Sequence, residues 1–323
     1  ATDGAGSGAA VVDTLDGLEG SFSSLAVTGA LTGTNATFTT ADNTTQLTLA
    51  STDADAAVGP VLDLFRNSAS PANFDTIGKI VFSGEDDGGN KTDYVHQVAY
   101  PQTVTGGSEQ GYWELHTLVG GTDRVRMEAS ATEVVINNPG IDSDFRVESD
   151  GDTHALFVEG SSGNVGIGVT PSAWSSASFG SVMQFKSGNN PDNNSGGALA
   201  GSGTDNFRMF ANTYYDGAYK KIGTGFSTIY EQASGSHVWY SNASSSANAT
   251  FTPTERMRID SGGRAIIGGG ITLGNGQTYA AANTLDDYEE GTWTLTIATG
   301  GGSSSSVSIG NTTGSYTKIG RQV

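Results

Sequence analysis

Four histidines are the side chains in this sequence best suited to holding a transition metal: His96, His116, His154 and His237. A protein zinc site needs three or four ligands that converge on the ion. The histidines are scattered among predicted strands at no spacing typical of a metal-binding motif, and no H-E-x-x-H sequence occurs. The spacing therefore predicts no metal site, and only convergence of the histidines in space would create one.

Three acidic clusters are candidates for binding Ca²⁺ through carboxylate oxygens. They are GEDDGGN at residues 84–90, SDGD at residues 149–152 and DDYEE at residues 286–290. None has the spacing of an EF-hand loop or of a Gly-Gly-x-Gly-x-Asp repeat. We interpret them as solvated turns. The identity of any metal ligand stays open, including carboxylates gathered by symmetry in an oligomer.

The glycine-rich stretches do not match phosphate-binding motifs. GNVGIG, residues 163–168, has the spacing G-x-x-G-x-G with no helical pattern after it, and GGGITLGNGQ, residues 268–277, lacks the Lys-Ser/Thr pair of a P-loop. Neither G-x-S-x-G nor cysteine is present. Glycoside hydrolysis needs two carboxylates about 5–10 Å apart, and 34 acidic residues make chance pairs inevitable. We therefore predict no enzymatic activity, no catalytic residues and no cofactor.

Two stretches rich in aromatic residues could have either of two roles. They are NTYYDGAYKKIG, residues 212–223, and SHVWYSN, residues 236–242. Aromatic faces beside Asn and Asp could stack on sugars, or they could fill the core of a module that is poor in Leu and Val. We favour the core, because Tyr and Trp bury large areas.

The elements that must position these residues are strands. Gly, Ser, Thr and Asn interrupt most windows with helical periodicity. Alternation and turn residues predict strands within residues 24–38, 46–52, 77–86, 93–100, 112–119 and 132–137. Leu, Ile, Val and Phe form only about a fifth of the chain, and its net charge is −19. The chain is therefore predicted to be all-β, with little or no helix, and to complete its core by association with copies of itself.

A short phrase is repeated one hundred residues apart, as SSGNVGIG at residues 161–168 and SGGRAIIG at residues 261–268. It belongs to a longer repeat, TDRVRMEASATEVVI at residues 122–136 and TERMRIDSGGRAIIG at residues 254–268, with a partial copy at residues 155–168. Each copy predicts a strand, a tight turn and a second strand. Alternation in the strands predicts that four apolar side chains face the core while the arginines beside them point away. These four are Val125, Met127, Met257 and Ile259.

The repeats divide the chain into tandem modules. We predict an N-terminal β-coil or shaft segment over residues 1–44, a first β module over 45–140 and a connector with the repeated hairpin over 141–170. A second β module over 171–268 ends in the repeated hairpin, and residues 269–323 form the start of a C-terminal tip domain that we expect to be incomplete.

Composition also bears on partners. With 15 basic residues against 34 acidic ones, no basic surface is expected to bind nucleic-acid phosphates or anionic membranes. No apolar run reaches the length of a membrane span, and the first residues lack the pattern of a signal peptide. We predict no nucleic-acid binding and no membrane insertion.

Several phrases of the sequence resemble segments of tail-fibre and related virion structural proteins of tailed bacteriophages, especially marine ones. They include FTPTERMRIDSGGRAIIG (251–268), SSGNVGIGVTPSAW (161–174), ANTYYDGAYKKIG (211–223) and LDDYEEGTWTLTIATGG (285–301). The resemblance extends over most of the chain from about residue 46 to residue 320. It differs at RAIIG, where related segments read NVGIG, and we expect a hairpin that packs differently there.

The resemblance implies an elongated, homotrimeric fibre of β-rich modules, assembled in the host cytoplasm and carried on the virion. Its implied partners are copies of itself, other tail or baseplate proteins, and a glycan or outer-membrane receptor on the host surface. The receptor-binding residues stay unassigned. Two alternatives remain open: a polysaccharide-degrading tailspike, and a head-attached or decorating fibre without a receptor role.

Overall fold

A computed structural model describes residues 35–188, 196–272, 284–285, 288–295 and 310–319. These residues form twenty-one strands and no helix, so the predicted all-β class is confirmed. The chain divides into two compact units, residues 1–64 and 65–323. The predicted shaft strand within residues 24–38 lies mostly outside the described residues.

The strand predicted at residues 46–52 is wrong, because residues 35–77 contain no strand. Leu47 and Leu49 are exposed there. A strand needs a neighbour to accept and donate its backbone hydrogen bonds. Within the described part of one chain, no strand pairs with this segment.

A five-stranded antiparallel sheet carries the first group of strands, in the order of the chain. Its strands are β1 (Gly78–Glu85), β2 (Lys91–Thr103), β3 (Gln110–Val119), β4 (Thr122–Ala129) and β5 (Val134–Ile136). The turn between β3 and β4 is the two residues Gly120 and Gly121, whose φ angles are 55° and 76°. Positive φ at both positions is what a type I′ hairpin turn requires, and glycine adopts it without strain.

A ten-stranded sheet carries the second group. Its strands are β6 (Phe145–Ser149), β7 (Asp152–Val158), β8 (Val165–Ile167), β9 (Val182–Lys186), β10 (Gly196–Ser202), β11 (Asn206–Ala211), β14 (Gly225–Ala233), β15 (Ser236–Ser245), β16 (Glu255–Ile259) and β17 (Ala265–Ile267). They follow chain order across the sheet, and every neighbouring pair is antiparallel except β8 and β9. Residues 141–170 supply β6 to β8, so the predicted connector and the second module share one sheet.

Three two-stranded pairs complete the described structure. They are β12 (Tyr214–Tyr215) with β13 (Tyr219–Lys220), β18 (Ile271–Thr272) with β19 (Thr284–Leu285), and β20 (Tyr288–Thr294) with β21 (Thr313–Ile319). The last two pairs lie in the predicted tip region, whose remaining residues are mostly outside the described part of the chain.

The core of the ten-stranded sheet lies on one face, beneath the segment that connects β8 to β9. Two parallel strands cannot be joined by a tight turn, so residues 168–181 leave the sheet and return across it. Trp174 and Phe179 of this segment pack edge to face at 5.9 Å and both contact Phe210 of β11. The buried Gln184 anchors the segment, because its Oε1 accepts hydrogen bonds from Trp174 Nε1 and Ser172 N, each at 2.9 Å.

All three copies of the repeated phrase form hairpins, as predicted: β4 with β5, β7 with β8, and β16 with β17. Gly163 and Gly263 occupy the same place in the two later turns, with φ angles of 72° and 79°. The repeat is therefore architectural in the structure.

Candidate functional site

One face of the ten-stranded sheet carries a continuous row of apolar side chains across seven strands. From β9 to β17, residues directly opposite one another form this row, which we call the open row: Met183, Leu199, Met209, Tyr230, Trp239, Met257 and Ile267. Alternate residues of a strand point to opposite faces, so the neighbours Val182, Phe210 and Ile229 are buried in the core behind it. Within one chain the open row stays accessible: Met209 is 49% exposed and Trp239 is 36% exposed.

The middle of the open row is a shallow groove of about 570 Å³. Tyr230 and Trp239 line it with ring centroids 5.1 Å apart, and His237 stacks on Tyr230 with an angle of 19° between the rings. The hydroxyl of Tyr230 lies 2.6 Å from His237 Nδ1 and accepts a hydrogen bond from Gln232 at 3.0 Å. The Tyr230 and His237 rings are therefore stacked, and the Trp239 ring is tilted by 35° to that of Tyr230.

The five-stranded sheet has a similar apolar face. One row across it consists of Ile80, Gln97, Leu115, Met127 and Ile136, and an adjacent row consists of Ala99, Trp113, Ala129 and Val134. Ile136 is 45% exposed and Val134 is 61% exposed. Soluble monomers rarely expose apolar patches larger than a few hundred Å². Both sheets therefore leave surfaces that are suited to a further layer of protein.

The prediction that Val125, Met127, Met257 and Ile259 face the core is wrong within one chain. All four are only partly buried, and Met127 and Met257 belong to the exposed rows. Strand alternation distinguishes two faces but does not say which one is covered. The crossing segment at residues 168–181 covers the opposite face of the ten-stranded sheet, and this choice depends on the parallel pairing of β8 and β9.

A nearly buried ion pair supports the strands beneath the open row. Arg208 Nη2 donates to Glu231 Oε1 at 2.5 Å, and Tyr240 Oη donates to Glu231 Oε2 at 2.9 Å. Burial acts to raise the pKa of Glu231, but hydrogen bonds from Arg208, Tyr240 and Asn206 outweigh it and lower the pKa below 4.5. Burial and the bond to Glu231 raise the pKa of Tyr240 to about 12. The network joins β11, β14 and β15.

Replacing Glu231 with glutamine is expected to lower the free energy of unfolding by about 3 kcal/mol at pH 7, because it leaves the Arg208 charge without its partner in a nearly buried position. The folded-state pKa of Glu231 is below its ordinary value of 4.5. Its contribution to stability is thus complete above about pH 4.5 and is lost as the pH falls through the folded-state pKa. Urea denaturation of both proteins at pH 7 and at lower pH should show the difference shrinking on acidification.

Glu148→Gln is the matched control for that measurement. The pair of Arg146 and Glu148 is about half exposed on both sides, so its removal should change stability by less than about 1 kcal/mol. Equal losses for the two variants, or a Glu231→Gln deficit that does not change with pH, would contradict the role of the pair.

The two aromatic stretches take different places in the structure. In the first, Tyr214 and Ile222 are buried in the core, and Tyr215 and Tyr219 pack against it. In the second, strand alternation sends Val238 into the core and Trp239 into the open row. The first stretch fills the core, which was the favoured role, and the second is divided between core and surface.

Two acidic clusters form turns. Asp86 accepts hydrogen bonds from Asn90 N at 2.8 Å and Gly88 N at 2.9 Å, and the bonds from Asn90 lower its pKa. Asp152 accepts one from His154 N at 2.8 Å and lies 3.6 Å from Lys186 Nζ. Asp86 thus holds the turn at residues 86–90, and Asp152 lies at the start of β7, directly after its turn. The third cluster lies partly outside the described residues, and its Glu289 accepts a hydrogen bond from Tyr316 at 2.5 Å.

The histidines are not all dispersed. His96 and His116 lie directly opposite each other on β2 and β3 and stack with ring centroids 4.2 Å apart, whereas His154 and His237 lie on β7 and β15 of the other sheet. Asp123 joins the pair, with Oδ2 3.0 Å from His116 Nδ1. Neither Asp123 nor Glu114, which contacts His116, was predicted from the sequence. The only signal was Glu114-x-His116, two polar residues on one face of a strand.

Comparisons of the chain with protein-family models, with curated proteins and with solved structures find no match. In the part of the chain that the structure describes, no helix has the length and apolar character needed to cross a membrane.

Proposed function

We propose that this chain is a structural fibre protein of a bacteriophage virion, a homotrimeric tail fibre that takes part in attachment to the host surface. The observation that carries the proposal is the open row, an accessible apolar row across seven strands. Such a face is stable in water when another protein layer covers it.

A second copy of the chain is the occupant that best fits these surfaces. Exposed apolar rows occur on both sheets, from residue 80 to residue 267. A partner must therefore follow the chain over most of its length, which a parallel copy does with the same surfaces in the same order. The hairpin of β20 and β21 also favours association with another copy. Its Tyr288 and Trp293 are more than half exposed, and isolated two-stranded hairpins are only marginally stable in water.

The number of copies and the biological setting come from the sequence resemblance. The resemblance to phage fibres implies that three chains form an elongated assembly with closed rotational symmetry. It also implies attachment to tail or baseplate proteins and contact with a host glycan or outer-membrane receptor. Closed symmetry covers each copy equally. We propose a structural and binding role without catalysis.

The native mass of the purified chain, measured by light scattering, tests the assembly. We expect about three times 33.0 kDa, falling to a single chain after boiling in detergent. A stable monomer would remove the basis of the proposal.

Adsorption and sugar release test the biological role. Antibody against this chain should block adsorption of phage particles to host cells. Unchanged adsorption would favour a decorating fibre, and release of reducing sugar from host polysaccharide would identify a tailspike instead.

A further inference from the structure

Three side chains of the five-stranded sheet converge on one point. Asp123 Oδ2 lies 3.0 Å from His116 Nδ1 and 3.8 Å from His96 Nε2. One ligand atom from each residue lies within 4.8 Å of the others. The histidines come from β2 and β3, and Asp123 follows the turn into β4. The cluster is therefore built from three strands held in register.

These separations are close to those of a metal site. Metal–ligand bonds of about 2.0 to 2.1 Å place the ligand atoms of a tetrahedral zinc ion about 3.3 Å apart. An ion can enter if Asp123 moves outward and the stacked rings turn toward a common point. Asp123 is free to move, because its side chain is 52% exposed, while those of both histidines are 11% exposed. The two imidazoles of the site are thus nearly buried, and the Asp123 carboxylate is accessible to solvent.

Both ring nitrogens of His116 face carboxylates. Nε2 lies 3.0 Å from Glu114 Oε2, and Nδ1 lies 3.0 Å from Asp123 Oδ2. A neutral imidazole has one N–H, so one carboxylate faces a lone pair unless a cation or a second proton is added. Histidines that bind metals usually donate their other N–H to a carboxylate, as His116 can to Glu114. A metal ion at Nδ1 would satisfy both contacts.

The charge around the cluster also suits a cation. Glu128, directly opposite Glu114 on the same face of the sheet, is buried and accepts hydrogen bonds from Tyr112 and Asn138, each at 2.7 Å.

We propose that His96, His116 and Asp123 bind a divalent first-row transition-metal ion, with water as the fourth ligand and Glu114 orienting His116. Two imidazole nitrogens favour ions of the zinc class over Ca²⁺ and Mg²⁺, which prefer oxygen ligands. The ion would tie β2, β3 and β4 together. This site is independent of the proposed fibre function.

The test uses the full chain, free of any histidine tag and stripped with EDTA. Titration with Zn²⁺ by calorimetry should show one site per chain, and Co²⁺ should give the visible absorption of a low-symmetry site. Zn²⁺ should also raise the midpoint of thermal unfolding, since it binds the folded state. Ca²⁺ and Mg²⁺ should do neither.

Variants locate the site. His96→Gln, His116→Gln and Asp123→Asn should each weaken Zn²⁺ binding by at least about tenfold, and Glu114→Gln by about tenfold through loss of orientation. Asp123→Asn changes an accessible side chain, so it tests the site even where a histidine variant fails to fold. His154→Gln is the matched control and should leave the affinity unchanged.

Two outcomes would overturn the proposal: no saturable Zn²⁺ binding by the stripped protein at millimolar concentration, or an affinity that Asp123→Asn and His116→Gln leave unaltered. Loss of binding in His154→Gln of the same size as in His116→Gln would place the ion elsewhere and would also reject the site.

Discussion

Replacing Met209 with aspartate is expected to convert the proposed trimer into separate chains of 33.0 kDa. Met209 lies in the middle of the open row, between Leu199 and Tyr230. Its side chain is 49% exposed in one chain, so a carboxylate there stays hydrated and costs the single chain little. In the proposed fibre, the same carboxylate would lose its water, which costs several kcal/mol per ion.

That penalty corresponds to a loss of at least about a hundredfold in association, since 1.4 kcal/mol is about a factor of ten. Light scattering over a range of concentrations measures it directly. Met209→Leu is the matched control, because it preserves the apolar character and nearly the volume of the side chain, and it should assemble as the parent does. Circular dichroism should show the same strand content in both variants. If the Met209→Asp variant assembles as the parent does, the open row is not the interface.

Replacing Gly166 with alanine is expected to lower the free energy of unfolding by at least about 3 kcal/mol, through overpacking against backbone. A methyl group at this position would lie 1.8 Å from the carbonyl oxygen of Val169 and 3.0 Å from its carbonyl carbon. The chain folds back over Gly166 as it leaves β8 for the crossing to β9. The obstructing atoms are backbone, so relief requires the crossing segment itself to shift, together with Trp174 and the core beneath it.

Gly111→Ala is the control for this variant. Gly111 is also a strand glycine, but a methyl group there would have no neighbour within 4 Å, and its stability should change by less than about 0.5 kcal/mol. Urea denaturation followed by tryptophan fluorescence compares the two at one fixed protein concentration, because the proposed association would contribute to stability. Similar stability for Gly166→Ala and Gly111→Ala would show that the close approach at Val169 is not a constraint.

The same position explains the difference between the two copies of the repeated phrase. Ile266 stands in the second copy where Gly166 stands in the first. β8 is an inner strand with the crossing chain folded against it, whereas β17 is the last strand of its sheet. Ile266 is 49% exposed, so a large side chain fits there. Both copies remain hairpins, because turn glycines with positive φ occur in both.

Local patterns predicted the class of the fold and the hairpins. Strand alternation, turn glycines and the repeated phrase act over a few residues, and the structure shows the expected pairs β4–β5, β7–β8 and β16–β17. The strand expected at residues 46–52 was wrong, because pairing depends on a neighbour that the described part of one chain does not provide.

Pairing between strands far apart in the chain determines which sheet face is covered and which side chains meet. The amino acids alone establish an acidic, glycine-rich, all-β chain that is short of aliphatic side chains. They do not establish that the crossing from β8 to β9 covers one face of a sheet and leaves the open row on the other, nor that His96 meets His116. Both follow from strand register, where a shift of one residue exchanges the two faces. Register is set by contacts between residues far apart in the chain, so it emerges only when the sheets are assembled.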